Sequence, residues 1–196
     1  RHFRREDALG AFAGFTALDI GCGGGLVSEP LARMGFSITG IDGGEKNIKT
    51  AMTHAQQMGL NIDYRCMTAE ELAASGAQYD AVFALEIIEH VADVELFLKS
   101  VAKLVKPNGM LVMSTLNRTI KAYGLAIIGA EYVLRWLPRG THDWKKFVKP
   151  HEMVMPLQRE GLTLVEMQGL VLNPFSRAWE MSRTDLDVNY MLVIKK

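Results

Sequence analysis

Three acidic or imidazole side chains fall within five residues in Leu85-Glu86-Ile87-Ile88-Glu89-His90. Two carboxylates and an imidazole can hold a divalent ion through oxygen and nitrogen. The same trio can instead supply a general base, and Glu89 and His90 can equally do no more than cap and solvate a loop. A second pair, His142 and Asp143, stands in Gly140-Thr141-His142-Asp143-Trp144 and carries less weight. The other chemistry-bearing stretch is Leu18-Asp19-Ile20-Gly21-Cys22-Gly23-Gly24-Gly25-Leu26. Glycine is required where the chain turns with φ > 0, or where a ligand must touch backbone. A plain strand-to-helix turn needs one glycine, and this one has four. An apolar strand, a glycine turn and a helix N-terminus together make a cradle for a nucleotide-type ligand. Asp42 follows roughly twenty residues later, the spacing at which a carboxylate meets ribose hydroxyls in a βαβ unit.

These residues need a frame, and the hydrophobic pattern supplies one. Strands are predicted at Thr16–Ile20, Ser37–Ile41, Ile62–Met67, Tyr79–Leu85 and Met110–Leu116. Helices are predicted between them, at Leu26–Met34, from about Glu45 to Met58, near Ala69–Ala74 and at Val94–Val105. Ile48, Ala51, Met52, Ala55 and Met58 recur at helical spacing, whereas Tyr79–Leu85 is a near-continuous apolar run of a strand buried on both faces. The alternation implies right-handed crossovers and a parallel sheet with helices on both faces. It breaks at Asn117, and a helix near His151–Glu160 with strands at Leu162–Leu170 and Val188–Ile194 resumes it. Ligands of such sheets sit beyond the carboxyl ends of the strands. That edge receives Gly21–Gly25, Asp42, Thr68-Ala69, Leu85-Glu86 and Asn117.

With 196 residues, 48% of them hydrophobic, the chain can bury the core of one domain. A net charge of +0 gives no global field to attract nucleic acid, and no nucleic-acid partner is expected. Cys22 and Cys66 are too few for a disulfide framework, and a reducing, cytoplasmic setting is expected. No apolar run reaches the ~18–20 residues of a spanning helix. Residues 118–149 stand apart: seven Lys and Arg face two acids there, in a chain of net zero. Tyr123, Ile127, Ile128, Tyr132, Trp136 and Leu137 lie among those cations. This is the composition of an interfacial membrane helix, or of a lid packed on the domain. The chain opens on Arg1, about fifteen residues before its first strand, and a missing N-terminal piece is expected.

The glycine turn fits the dinucleotide fingerprint poorly, because Leu26 occupies its third position. A nucleotide-dependent oxidoreductase is accordingly the weaker reading. The spacing D-I-G-C-G-G-G resembles motif I of the class I S-adenosylmethionine-dependent methyltransferases. Five further stretches extend the likeness: E-I-I-E-H at 86–90, S-T-L-N-R-T at 114–119, G-A-E-Y-V-L-R-W-L-P-R-G-T-H-D-W-K-K-F at 129–147, N-P-F at 173–175 and D-V-N-Y at 187–190. With motif I they resemble the ubiquinone-biosynthesis O-methyltransferase family over nearly the whole chain. The resemblance implies a doubly wound, mostly parallel seven-stranded sheet, with residues 118–149 inserted after strand 5. It implies S-adenosylmethionine as cofactor, held by Asp19, Gly21, Gly23, Asp42, Thr68, Ala69 and Leu85. It implies Mg²⁺ on Glu86, Glu89 and His90, or else a catalytic role for His90, Glu89 or His142 in taking the proton. The implied partners are a polyprenylated catechol-type substrate, an anionic membrane surface and a complex of ubiquinone-biosynthesis proteins. The implied location is peripheral, at a bacterial inner membrane or the matrix side of the mitochondrial one. An N-terminal segment that covers the cofactor in the family is expected to be missing from this chain.

Overall fold

The computed structural model describes residues 10–124, 143–172 and 178–196. Eight strands are present among them: β1 (Thr16–Ile20), β2 (Ser37–Asp42), β3 (Asp63–Cys66), β4 (Tyr79–Leu85), β5 (Val105–Leu116), β6 (Thr163–Leu172), β7 (Trp179–Ser182) and β8 (Asn189–Lys195). They form one sheet in the order β3-β2-β1-β4-β5-β8-β6-β7. The pairs from β3 to β5 are parallel, and those from β5 through β8 and β6 to β7 are antiparallel. The expectation of seven strands is therefore corrected to eight in a mixed sheet. The strand missed is β7, a short edge strand whose first three residues are exposed. Its Trp179-Glu180-Met181-Ser182 alternates apolar and polar, but over four residues the pattern is too short to stand out.

The helices are α1 (Ser28–Arg33), α2 (Glu45–Gln57), α3 (Ala69–Ala74), α4 (Val94–Leu104), the single turn α5 (Ile120–Ala122) and α6 (Pro150–Arg159). Two-residue alternation distributes the strands' side chains between the two faces. Leu18 and Ile20 of β1 enter the main core with Leu72, Phe97, Leu98, Val101, Met153 and Leu157 from α3, α4 and α6. Ala17 points the other way, into a cluster with Phe36, Ile38 and Ala81. On α2, Ile48, Ala51 and Ala55 pack with Tyr64 and Cys22. Helices on both faces leave the carboxyl ends of β1 and β4 as the open crevice. Strand order reverses there, between β2 beside β1 and β5 beside β4.

The insertion is held at its described ends. Asn117 donates to the Leu186 carbonyl, Arg118 pairs with Glu152, and Lys121 pairs with Asp185 at 2.7 Å. The indole of Trp144 donates to the Thr119 carbonyl at 3.1 Å. His142 and most of the predicted apolar segment lie outside the described residues.

Candidate active site

The glycine turn is built as a nest for Asp42. Gly21 and Cys22 both donate their N–H to the Ile41 carbonyl, which lashes the turn to β2. Gly23 N–H then reaches Asp42 Oδ2 at 3.1 Å, while Gly44 N–H and Asn47 Nδ2 donate to Oδ1 at 2.7 and 3.0 Å. A carboxylate has about four acceptor sites, so three are already taken. A ribose that uses both oxygens must replace one of these donors. Gly21 adopts φ +72°, and a Cβ there would stand 2.7 Å from Ile87 Cδ1 and 3.1 Å from Ile87 Cβ. Both the positive φ and the close approach of Ile87 therefore require glycine at this position.

Asp19 sits beneath the turn and is only 2% exposed. The buried Ser28 hydroxyl, at the start of α1, donates to its Oδ2 at 2.6 Å. Burial pushes the Asp19 carboxyl up to about 6, against the pull of that hydrogen bond. Cys22, also in the turn, is pushed by burial to about 12 and is a packing residue rather than a nucleophile. Glu29 of α1 accepts from Arg33 and meets His54 of α2, joining the two helices behind the turn.

A cavity of about 410 Å³ opens over this edge, within the ~300–1,000 Å³ of small-molecule sites. It brings together Gly21, Asp42, Thr68, Ala69 and His90 of the expected residues. Asp19, Gly23, Leu85, Glu86 and Glu89 do not line it. Thr68 also caps α3, accepting from Glu71 N–H at 3.2 Å while the Glu71 carboxylate accepts from Thr68 N–H. The far wall was not anticipated: Ile87, Val91, Asp93, Leu96 and Phe97 come from the turn after β4 and the start of α4. Asp93 caps α4, and an acid followed three residues later by an apolar run was its only signal. Apolar Ile41, Met67 and Phe97 suit a flat base, and Asp42, Glu70 and Asp93 suit a cationic ligand. A larger groove of about 580 Å³ is lined by α2 alone and cannot enclose a ligand.

The metal trio does not assemble. Among the described residues no three His, Cys, Asp or Glu side chains are placed to share a metal ion. Glu86 Oε1 is taken by Ser114 Oγ at 2.6 Å and Asn189 Nδ2 at 2.9 Å. Glu89 is buried and accepts from Thr115 Oγ1 at 2.9 Å. Burial raises its pKa, which disfavours the charged form a hard cation needs. His90 is exposed and faces the cofactor cavity instead. The expected Mg²⁺ site is corrected accordingly: these residues do not fit the ion.

An open α/β sheet with a glycine turn tied to a ribose-distance carboxylate, over an acid-lined cavity, defines a class I S-adenosylmethionine-dependent methyltransferase. A family model described as a methyltransferase domain matches residues 18–113. The ubiquinone biosynthesis O-methyltransferase of Bartonella bacilliformis is 51% identical over 189 residues, 96% of this chain and 76% of that protein. The protein of the same name from Caulobacter vibrioides is 55% identical over 196 residues, 99% of this chain and 77% of that protein. The chain belongs to the ubiquinone biosynthesis O-methyltransferase family. Solved structures agree on the fold. A magnesium protoporphyrin IX methyltransferase from Synechocystis with bound SAH superimposes with a TM-score of 0.67 at 20% identity, covering 94% of this chain and 75% of that one. An S-adenosylmethionine-dependent methyltransferase from Methanosarcina mazei gives 0.67 at 21% identity, covering 93% and 92%.

Proposed function

We propose that the chain transfers a methyl group from S-adenosylmethionine to a catechol-type hydroxyl on a polyprenylated ring of ubiquinone biosynthesis. The observation that carries this reading is family membership at 51–55% identity, with the Asp42–glycine-turn cavity in place to take the cofactor. Asp42 holds the ribose, Gly21 and Ile87 form the floor, and Thr68 and Ala69 flank the base. The cofactor supplies the sulfonium methyl. The phenolic oxygen attacks in line, the S–CH₃ bond breaks with its electron pair going to sulfur, and S-adenosylhomocysteine and the phenolic proton leave. Positioning the oxygen in line supplies much of the rate. His90, on the cavity wall, is the imidazole within the site that can pass the proton to solvent. No step is routed through Mg²⁺. The test is transfer of labelled methyl to a short-chain alkyl catechol, with and without chelator. Transfer that survives chelation supports the reading, and binding of S-adenosylhomocysteine without any catechol methylation overturns the substrate.

The same reading places the enzyme at a membrane surface, where a polyprenyl substrate resides, alone or with other proteins of the pathway. No helix of the described residues is long and apolar enough to cross a membrane. Among the described residues Arg118 and Lys121 are engaged by acids, so the docking test takes Arg135, Arg139, Lys145 and Lys146 of the remaining cations. Each cation near an anionic surface contributes about 1 kcal/mol. Binding to anionic vesicles that salt weakens, and that reversal of these four charges abolishes, supports docking. Equal partition onto neutral and anionic vesicles leaves a lid.

A further inference from the structure

Two non-glycine residues among those described have positive φ, Asn108 at 63° and Glu86 at 52°. Asparagine visits this region readily, and Asn108 needs no explanation. Glutamate does not, and strain held at the edge of a ligand cavity is evidence of a function that requires it. What the conformation achieves is visible in the hydrogen bonds. It turns the Glu86 side chain toward β5 and β8, where Ser114 Oγ and Asn189 Nδ2 both donate to Oε1. Register puts the donors there: Ser114 pairs with Leu85 on one side and with Met191 on the other, and Asn189 pairs with Leu116. One oxygen is thus clamped by residues 28 and 103 positions away. The other takes no hydrogen bond from the described residues, and Glu86 is exposed.

The position matches an acceptor site rather than a cofactor site. Ile87, the next residue, packs over Gly21, and His90 of the same turn lines the cavity. Asp42 lies two strands away across β1, about 10 Å at the usual ~4.8 Å strand spacing. Glu86 does not itself line the cavity, but it directly precedes Ile87, which does, and it follows the carboxyl end of β4 beside the crevice.

We propose that Glu86, fixed through Ser114 and Asn189, is the carboxylate that receives a hydroxyl of the acceptor as a hydrogen-bond donor. It rests on the substrate reading above. The role replaces metal ligation for this residue: the clamped oxygen sets the orientation and the second oxygen binds the phenol. Ser114 and Asn189 are positioning residues.

The experiment is calorimetry on the chain saturated with S-adenosylhomocysteine, titrated with a short-chain alkyl catechol and with its dimethyl ether, which has no donor. Wild type is expected to bind the catechol at least tenfold more tightly than the ether. In Glu86→Gln that ratio falls to about one, because the amide offers a donor where an acceptor is needed. Affinity for S-adenosylhomocysteine stays within threefold, and kcat on the catechol falls at least a hundredfold without rescue by Mg²⁺. Asn189→Ala, which keeps the carboxylate, lowers the ratio partway and serves if the Gln variant melts early. A wild-type ratio in both variants, or rescue by added Mg²⁺, overturns the proposal alone. Wild-type chain that binds S-adenosylhomocysteine but neither methylates nor prefers the catechol overturns the substrate reading, and this proposal with it.

Discussion

Asp42 and Glu86 are both carboxylates at the carboxyl ends of parallel strands, and they differ in where their donors come from. Asp42 is held by Gly23, Gly44 and Asn47, all within nineteen residues and two of them by backbone N–H. Glu86 is held by two side chains on separate strands, one of them 103 residues away. The parallel half of the sheet fixes its site through local chain geometry. The antiparallel half assembles its site from tertiary contacts. Local sites tolerate change in distant strands but depend on backbone conformation at a few glycines. Assembled sites depend on register, because a slip of one residue on β8 would turn Asn189 to the other face.

The largest expected effect tests the dependence on backbone. Gly21→Val places a β-branched side chain at φ +72° and against the stiff Ile87. Left-handed strain of ~1–2 kcal/mol and overpacking of ~1–3 kcal/mol together destabilise the fold by about 3–4 kcal/mol. Urea denaturation should show this loss along with loss of S-adenosylhomocysteine binding. A variant of wild-type stability would mean that Ile87 moves freely and that the turn is not a rigid cradle.

The second effect is nearly as large and depends on pH. Asp19 has a folded pKa raised from 3.8 to about 6 by burial. A raised carboxyl pKa means that the neutral form folds better. Its contribution is intact below about 3.8 and is lost as the pH rises through about 6. Asp19→Asn removes the charge and keeps a partner for Ser28. The variant should match wild type at pH 3.5 and exceed it by about 3 kcal/mol at pH 7.5, from ~1.4 kcal/mol per pKa unit. It should also bind the cationic S-adenosylmethionine more weakly. A stability difference that does not change with pH would show that Asp19 is hydrated in solution.

Asp42→Ala comes next. Three donors lose their acceptor, and cofactor affinity should fall by about 1.5–3 kcal/mol, the range for hydrogen bonds to a charged group. Calorimetry with S-adenosylhomocysteine measures it. Unchanged affinity would mean that the carboxylate only braces the turn, as it does toward Gly23 and Gly44.

This contrast also explains what could be read from the chain alone. The turn at Gly21–Gly25 and Asp42 at the end of β2 were legible because each is a short-range pattern with a fixed spacing. Strands β1, β2, β4 and β5 were legible because buried strands are apolar runs, whereas β3, Asp63-Tyr64-Arg65-Cys66 with three of its four residues exposed, was legible only from its place between two helical stretches. The Mg²⁺ trio was misread because sequence proximity of Glu86, Glu89 and His90 says nothing of direction. A positive φ at Glu86 and burial of Glu89 send the three side chains to Asn189, to Thr115 and to the cavity. The wall formed by Leu96 and Phe97 was hidden because its residues read as the ordinary first turn of a core helix. The pairing of β8 between β5 and β6 brings Asn189 to Glu86, and no spacing in the chain encodes it.

The smallest effect separates capping from binding within the parallel half. Thr68 and Asp93 each cap a helix, and each lines the cavity. Thr68→Ala removes the acceptor for Glu71 N–H and one side of a capping box, a loss of about 1 kcal/mol. Because the Thr68 backbone remains on β3's exit and Ala69 remains buried, the cavity keeps its shape. Affinity for S-adenosylhomocysteine should therefore change less than threefold while the melting temperature falls by a few degrees. Asp93→Asn keeps a capping oxygen for Leu96 N–H and removes only the charge. Its stability should hold while the positively charged S-adenosylmethionine binds less tightly and S-adenosylhomocysteine, which lacks the sulfonium charge, is less affected. If both variants lose affinity and stability in proportion, the cavity wall and the helix starts act as one unit. The local half of the sheet would then be as dependent on its neighbours as the assembled half.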